Sequence, residues 1–137
     1  MSPSSTLPPI VTSWASAWNE NRGEDLAALF AEDCVYDDLA FQGTWQGRDQ
    51  VAWWVGRTHE TLASVQVEVR TGFRTDDMVA IEWTFSGQLR VAPSGFAVPV
   101  TTILQLDGEL ITRNSDNYNL AAVLRQSGLP ADWTPGA

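Results

Sequence analysis

Two short runs hold the side chains that could do chemistry. One is Leu29 to Asp38, LFAEDCVYDD, and the other is Asn114-Ser115-Asp116-Asn117. Val35 to Asp38 reads as extended chain, and a strand alternates its faces with period two. Tyr36 and Asp38 then point to one side, Val35 and Asp37 to the other. Only one carboxylate shares the side of Tyr36. If that side faces a pocket walled by Trp and Phe, Asp38 loses hydration and its pKa rises. A carboxylate so tuned is a competent base near neutral pH. Tyr36 is either a core aromatic with a wet hydroxyl or a proton donor and water holder. An inward-facing Asp116 would share its side with Asn114, Thr112 and Tyr118, and Thr102 on a neighbouring strand would come close. The plainer readings are a turn aspartate at Asp38 and a solvated strand end or helix cap at Asp116.

The other reactive residues argue for less. Cys34 is the only cysteine, so no disulfide forms within the chain. A lone Cys in an apolar run is usually a small buried hydrophobe. One thiol and one histidine do not make a structural zinc site, and neither a metal nor a cofactor is expected. His59 falls on a helix, where a surface or hydrogen-bonded role is commoner than catalysis. Arg48 should stabilise the start of that helix. Seven tryptophans are many for 137 residues. Most must fill the core, and some should line a cavity for a flat or apolar ligand. The catalytic candidates are Asp38, Asp116 and Tyr36. The expected ligand contacts are Trp14, Trp18, Trp54, Trp83, Phe85, Thr102, Asn114, Tyr118 and His59, with Trp45-Gln46-Gly47 bordering the mouth.

Composition limits the partners. The formal charge is -9, from 17 acidic residues against 8 arginines and no lysine. Nucleic acid and anionic membrane surfaces both need clustered positive charge, so neither is expected. The start of the chain, MSPSSTLPP, lacks the basic and long apolar runs of a secretory signal, and no window reaches about 18 apolar residues. A cytoplasmic protein is the expectation. With 44% hydrophobic residues the chain should fold as one domain with a real core.

The elements that must position these residues follow from periodicity. Residues 1–8 read as a flexible lead-in, 9–130 as one domain and 131–137 as a tail. Pro8 and Pro9 suit a helix start. Ile10, Trp14 and Trp18 then recur at helical spacing, as far as Asn19 to Gly23. Glu24 to Ala31 predicts a short second helix with Leu26, Leu29 and Phe30 inward. Ala40 to Gly47 reads as a loop. Arg48 to about Ala63 predicts a third helix with Val51, Trp54, Val55, Thr58 and Leu62 as its stripe. Then the period switches to two. Val65, Val67 and Val69 mark one strand, Val79, Ile81, Trp83 and Phe85 a second, Ala97 to Leu106 a third and Leu110 to about Tyr118 a fourth. The turns fall at Thr75-Asp76-Asp77, Pro93-Ser94-Gly95 and Asp107-Gly108. Leu120 to Gly128 predicts a closing helix. Helices first and long antiparallel strands second suit an α+β domain, with helices packed on one face of a curved sheet that encloses a conical pocket.

Four stretches carry a family resemblance: SWASAWNENRGEDLAALFAEDCVYDD, WQGRDQV, VAIEWTFSG and LDGELITRNSDNYNLAAVLRQSGLP. Their order and spacing resemble the SnoaL-like branch of the nuclear transport factor two-like superfamily, which includes ketosteroid isomerases, polyketide cyclases and limonene-epoxide-hydrolase-like enzymes. The resemblance implies a cystatin-like cone and a cofactor-independent acid–base enzyme acting on a small apolar molecule. The chemistry implied is polyketide-type cyclisation or isomerisation, or epoxide hydrolysis. A non-catalytic binding or dimerisation module of the same fold is the alternative, and a homodimer through the outer sheet face is also implied. Asp38 falls where the isomerases place their general base. Tyr36 and Asp38 fall where the epoxide hydrolases place a Tyr and an Asn that hold water. Asp116 falls where several members have a pocket acid. Trp14 and Thr102 stand where the isomerases have a tyrosine and a protonated aspartate. Trp83 and Phe85 stand where the epoxide hydrolases have an Arg-x-Asp pair.

Overall fold

A computed structural model describes residues 7–134. Helices α1 (Pro9–Asn19) and α2 (Gly23–Ala27) lead into strands β1 (Phe30–Asp38) and β2 (Gly43–Gln46). Helix α3 (Arg48–Thr61) follows, then four long strands: β3 (Leu62–Thr75), β4 (Met78–Leu89), β5 (Phe96–Asp107) and β6 (Leu110–Asn117). Helix α4 (Leu120–Ser127) closes the chain. The sheet runs β2-β1-β6-β5-β4-β3. Every neighbouring pair is antiparallel except β1 with β6, which is parallel. This is the expected α+β architecture, with α1 and α3 packed on one face of the sheet.

The period-two pattern of β4 and β5 has a direct counterpart in burial. Val79, Ile81 and Trp83 are buried, as are Val98, Val100, Thr102, Leu104 and Leu106. Between them Glu82, Ala97, Pro99, Thr101 and Gln105 face solvent. Trp14 of α1 meets Trp83 edge to face, with ring centroids 5.4 Å apart.

Several local expectations are corrected. The second helix stops at Ala27 instead of Ala31. Ile111 N–H donates to the Leu29 carbonyl at 2.8 Å, which draws the chain into the sheet, and fully buried Phe30 opens β1. Arg48 holds this junction, since its Nε–H donates to the Phe30 carbonyl at 2.8 Å. The stretch read as a loop over Ala40 to Gly47 contains β2, which pairs antiparallel with Val35 to Asp38. The third helix ends at Thr61, because Leu62 is already extended and begins β3. Thr112 does not share the inward side of Asn114. Pairing between β5 and β6 slips there, Thr112 Oγ1–H donates to the Gln105 carbonyl, and buried Ile111 takes the inward place.

Three glycines take positive φ, and Gly47 does so at φ 83° just before α3. Gly108 opens the two-residue β5–β6 turn at φ 61°. Gly128 ends α4 in the left-handed region at φ 76°, where a side chain would be strained. Of the segments read as lead-in and tail, residues 1–6 and 135–137 lie outside the described residues. Leu7 and Trp133 are half-buried and pack against the core.

Candidate functional site

The parallel pairing of β1 with β6 builds the site. It sets Tyr36 beside Asn114 and Asp38 beside Asp116. On the far side of β6, Thr102 of β5 is the register partner of Asp116. One row across the sheet therefore reads Asp38, Asp116, Thr102, all three buried.

Asp116 sits in a cradle of three donors. Its Oδ1 accepts from Thr102 Oγ1–H at 2.7 Å and from Asn114 Nδ2–H at 2.8 Å. Its Oδ2 accepts from the Tyr36 hydroxyl. Two indoles orient that cradle from behind. Trp14 Nε1–H donates to Asn114 Oδ1 at 2.9 Å, and Trp83 Nε1–H donates to Thr102 Oγ1 at 2.8 Å. Each indole takes up the acceptor of its partner, so the amide and hydroxyl protons must point at Asp116. Asp38 is held differently. Its Oδ1 accepts from the backbone amides of Ala40 at 3.1 Å and Phe41 at 2.9 Å. Its Oδ2 accepts from the Tyr118 hydroxyl at 2.8 Å. Asp38 is thus a turn aspartate and a cavity acid at once. Asp37 points the other way, to Thr44 and Arg113.

Burial and charge tune these groups. Burial, then the Asp38 charge, pushes the Asp116 carboxyl up to about 6 against the pull of its three donors. Burial also raises Asp38, opposed by the amides of Phe41 and Ala40 and by the Tyr118 hydroxyl. Tyr36 and Tyr118 are pushed well above the usual phenol range by burial and the neighbouring carboxylates, so both remain neutral donors at physiological pH. Burial raises the Cys34 thiol, which suits a core residue and not a nucleophile.

Both acids face a cavity of about 490 Å³, a size suited to a small organic ligand. Its aromatic wall includes Trp18, Tyr36, Trp45, Trp54, Phe85 and Tyr118, and Trp83 also reaches it. Trp45 stacks on Trp54 with centroids 3.9 Å apart. Exposed Trp53 and the half-exposed side chain of Arg57 stand on the open side. Among the described residues, no cluster of three His, Cys, Asp or Glu gathers that could hold a metal ion.

Of the expected ligand contacts, Trp18, Trp54, Trp83, Phe85 and Tyr118 line the cavity. Trp14, Thr102, Asn114 and His59 do not. The first three lie behind the wall, where their hydrogen-bonding capacity is spent on the Asp116 cradle. His59 Nε2–H donates to the Trp18 carbonyl at 2.7 Å, tying α3 to α1. Phe41, Trp45, Phe96, Leu120, Val123 and Trp133 also line the cavity without having been among the named ligand contacts. Trp133 carried one readable signal, a lone aromatic in a Pro-rich end segment. One buried polar atom on the wall residues is unspent. Among the described residues, Trp18 Nε1 and Ser127 Oγ are the buried side-chain polar atoms without a partner.

Known proteins match the chain in family and in fold. The SnoaL-like domain model matches residues 11–114. A solved hypothetical protein of ketosteroid isomerase-like fold from Catenulispora acidiphila, in complex with trimethylamine, is 45% identical, with a TM-score of 0.92 over 95% of this chain and 100% of that one. An epoxide hydrolase of the limonene-epoxide-hydrolase-like type from Mycobacterium tuberculosis superposes with a TM-score of 0.72 at 17% identity, over 86% of each chain. A Shewanella denitrificans protein assigned as a SnoaL-like polyketide cyclase gives a TM-score of 0.73 at 17% identity, over 85% of this chain and 93% of that one. These last two likenesses are of fold alone. No curated protein matches the chain. A family match across most of the sequence, on the fold that family shares, makes this protein a member of the SnoaL-like family.

Proposed function

We propose that the cavity is the active site of a cofactor-independent acid–base enzyme acting on a small, largely apolar molecule. Isomerisation or cyclisation of the polyketide type is the chemistry it suits. The observation that carries this reading is the pair of carboxylates, each bonded to a tyrosine hydroxyl, side by side on β1 and β6 in one aromatic cavity. In this reading Asp38 as carboxylate removes a proton from a carbon beside a carbonyl. The partner acid, in its protonated form, stabilises the oxygen that becomes negative. The proton then returns to a second carbon of the same molecule, or the carbanion closes a ring and the proton goes to the new oxygen. An acid that titrates near 6 can give and take a proton in neutral water. Epoxide opening fits less well, because apolar Trp83 and Phe85 occupy the places where the resemblance implies an Arg-x-Asp pair.

The test follows solvent deuterium into enolisable cyclic ketones by NMR at about pH 7.5, with wild type, Asp38→Asn and Asp116→Asn. The wild type is expected to speed exchange, Asp38→Asn to lose about 100-fold or more, and Asp116→Asn to lose about tenfold or more. Exchange that is equal in the wild type and both variants would overturn the reading.

A non-catalytic binding module is the second reading. Two observations favour it. Every oxygen of both carboxylates already accepts from a protein donor. The relative from Catenulispora acidiphila was solved in complex with trimethylamine, which is a ligand and not a reacting carbonyl compound.

A further inference from the structure

We infer that the ligand of this cavity carries a positive charge, as a tertiary or quaternary alkylammonium group seated between Asp38, Asp116 and the aromatic wall. The inference rests on the reading above only in taking the cavity as the ligand site, and it does not require turnover.

The argument starts from charge. Strands β1 and β6 present Asp38, Tyr36 and Asp116 to the cavity, and Tyr118 follows directly after β6. Helix α1 contributes only Trp18, β5 only Phe96, and α4 only Leu120 and Val123. Strands β3 and β4 contribute apolar side chains, and β2 contributes Gly43 and Trp45. Among the described residues the only basic group on the wall is Arg57 of α3, whose side chain is half-exposed and pairs with Glu60 at 3.8 Å. No lysine exists anywhere in the chain. Two buried carboxylates therefore share one cavity with no buried counter-charge among the described residues. A neutral ligand would leave them so, and would strip away any water that solvates them. A cation supplies the missing partner.

The chemistry of the wall then selects the kind of cation. A primary ammonium has three N–H donors to satisfy, whereas a carboxylate has about four acceptor sites. Asp38 and Asp116 each spend three of these on protein donors. Little acceptor capacity remains, and most of the surrounding surface is aromatic. Indole and phenol faces attract a cation whose surface is methyl and methylene carbon, because the ring quadrupole acts on the charge without needing an N–H. The stacked Trp45 and Trp54, with Trp18, Tyr36 and Phe85, provide such faces. The neutral remainder of the molecule fills the rest of the cavity.

The test compares two probes of the same shape. Benzyltrimethylammonium and neopentylbenzene differ in one atom, a charged nitrogen in place of carbon. Titration of each into the folded protein is followed by tryptophan fluorescence. The ammonium is expected to bind about tenfold tighter or more at about pH 8. Its affinity should rise with pH through about 6, because it binds the ionised form of Asp116, while that of the hydrocarbon should not. Asp38→Asn and Asp116→Asn should each weaken the ammonium about fivefold or more and leave neopentylbenzene within about twofold. If either variant fails to fold, the wild-type probe ratio and its pH dependence decide alone. Equal or tighter binding of neopentylbenzene overturns the charge assignment while leaving the cavity as ligand site and the acid–base reading intact. Binding of neither probe overturns the inference and counts against the cavity as a ligand site.

Discussion

Tyr36 and Trp83 show how single side chains set the chemistry of an acid they do not replace. The Tyr36 hydroxyl donates to Asp116, and that bond favours the carboxylate. Tyr36→Phe removes the donor and leaves the burial. The apparent pKa of Asp116 should then rise above its present value near 6, which carboxyl NMR of the variant would read directly. A fall would show that the hydroxyl is not bonded to this acid. Thr102→Val removes another donor to Asp116 and also strands the buried indole N–H of Trp83. Leaving such a group unpaired should cost about 1 to 3 kcal/mol in denaturant unfolding. At this scale much was legible. Strand alternation alone put Tyr36 and Asp38 on one side and Asp37 on the other. The link from Trp14 to Asn114 was not legible, because it joins residues 100 positions apart and depends on which strands become neighbours. For the same reason Asn114 and Thr102 could be placed near Asp116 but not identified as its cradle.

Among the elements, β1 and β6 matter most, because their parallel register brings the two acids together. No local pattern encodes that pairing. Sequence periodicity marks a strand, and its neighbours are chosen by the whole sheet. The short β2 escaped for another reason. Its four residues alternate between half-buried and exposed, and Gly-Thr-Trp-Gln carries too few apolar positions to show a period. The long strands were legible because their inward faces are mostly apolar, with Thr102, Asn114 and Asp116 as the polar exceptions on β5 and β6. Trp83 is buried at the centre of one such face, and Trp83→Ala should cost about 3 to 5 kcal/mol of stability. A loss below about 1 kcal/mol would mean that β4 does not present this face to the core. The α2–α3 contact makes a second claim at this scale. A Cβ on Gly23 would lie 2.6 Å from the Ala52 carbonyl oxygen, which is backbone and cannot swing aside. Gly23→Ala should therefore destabilise by about 1 to 3 kcal/mol despite the better helix propensity of alanine. An unchanged unfolding midpoint would show that the helices stand further apart.

For the molecule as a whole, the site imposes a pH dependence on folding. A carboxyl whose folded pKa is raised holds its proton more tightly in the native state than in the unfolded chain. Between about 4 and 6 the native state then binds more protons, so this group lowers stability as pH rises through that window. A shift of about two units corresponds to roughly 3 kcal/mol, withheld above pH 6 and recovered below 4. Asp116→Asn removes that titration. Its stability relative to wild type should be more favourable at about pH 8 than at about pH 4, as read from urea unfolding at both. A difference that does not change with pH would contradict the buried placement of this acid. The aromatic cone is a molecular-scale property in the same sense. Its wall draws on nearly every element, down to Trp133 near the end of the described residues, which the sequence presents as tail. Trp133 joins the wall beside Leu120 and Val123 of α4, which packs on β5, and no one segment encodes that placement.

Everything proposed for the site depends on Asp38 and Asp116 sharing one desolvated cavity. Carboxyl-resolved NMR titration of the wild type and Asp38→Asn measures this most directly. In the wild type Asp116 should titrate near 6, with Asp38 also raised above the usual aspartate value. In Asp38→Asn the fold should persist and the apparent pKa of Asp116 should fall, because the Asp38 charge that helps to raise it has gone. Two carboxyls that titrate independently near 4, with Asp116 indifferent to Asp38→Asn, would contradict the shared cavity and the chemistry built on it.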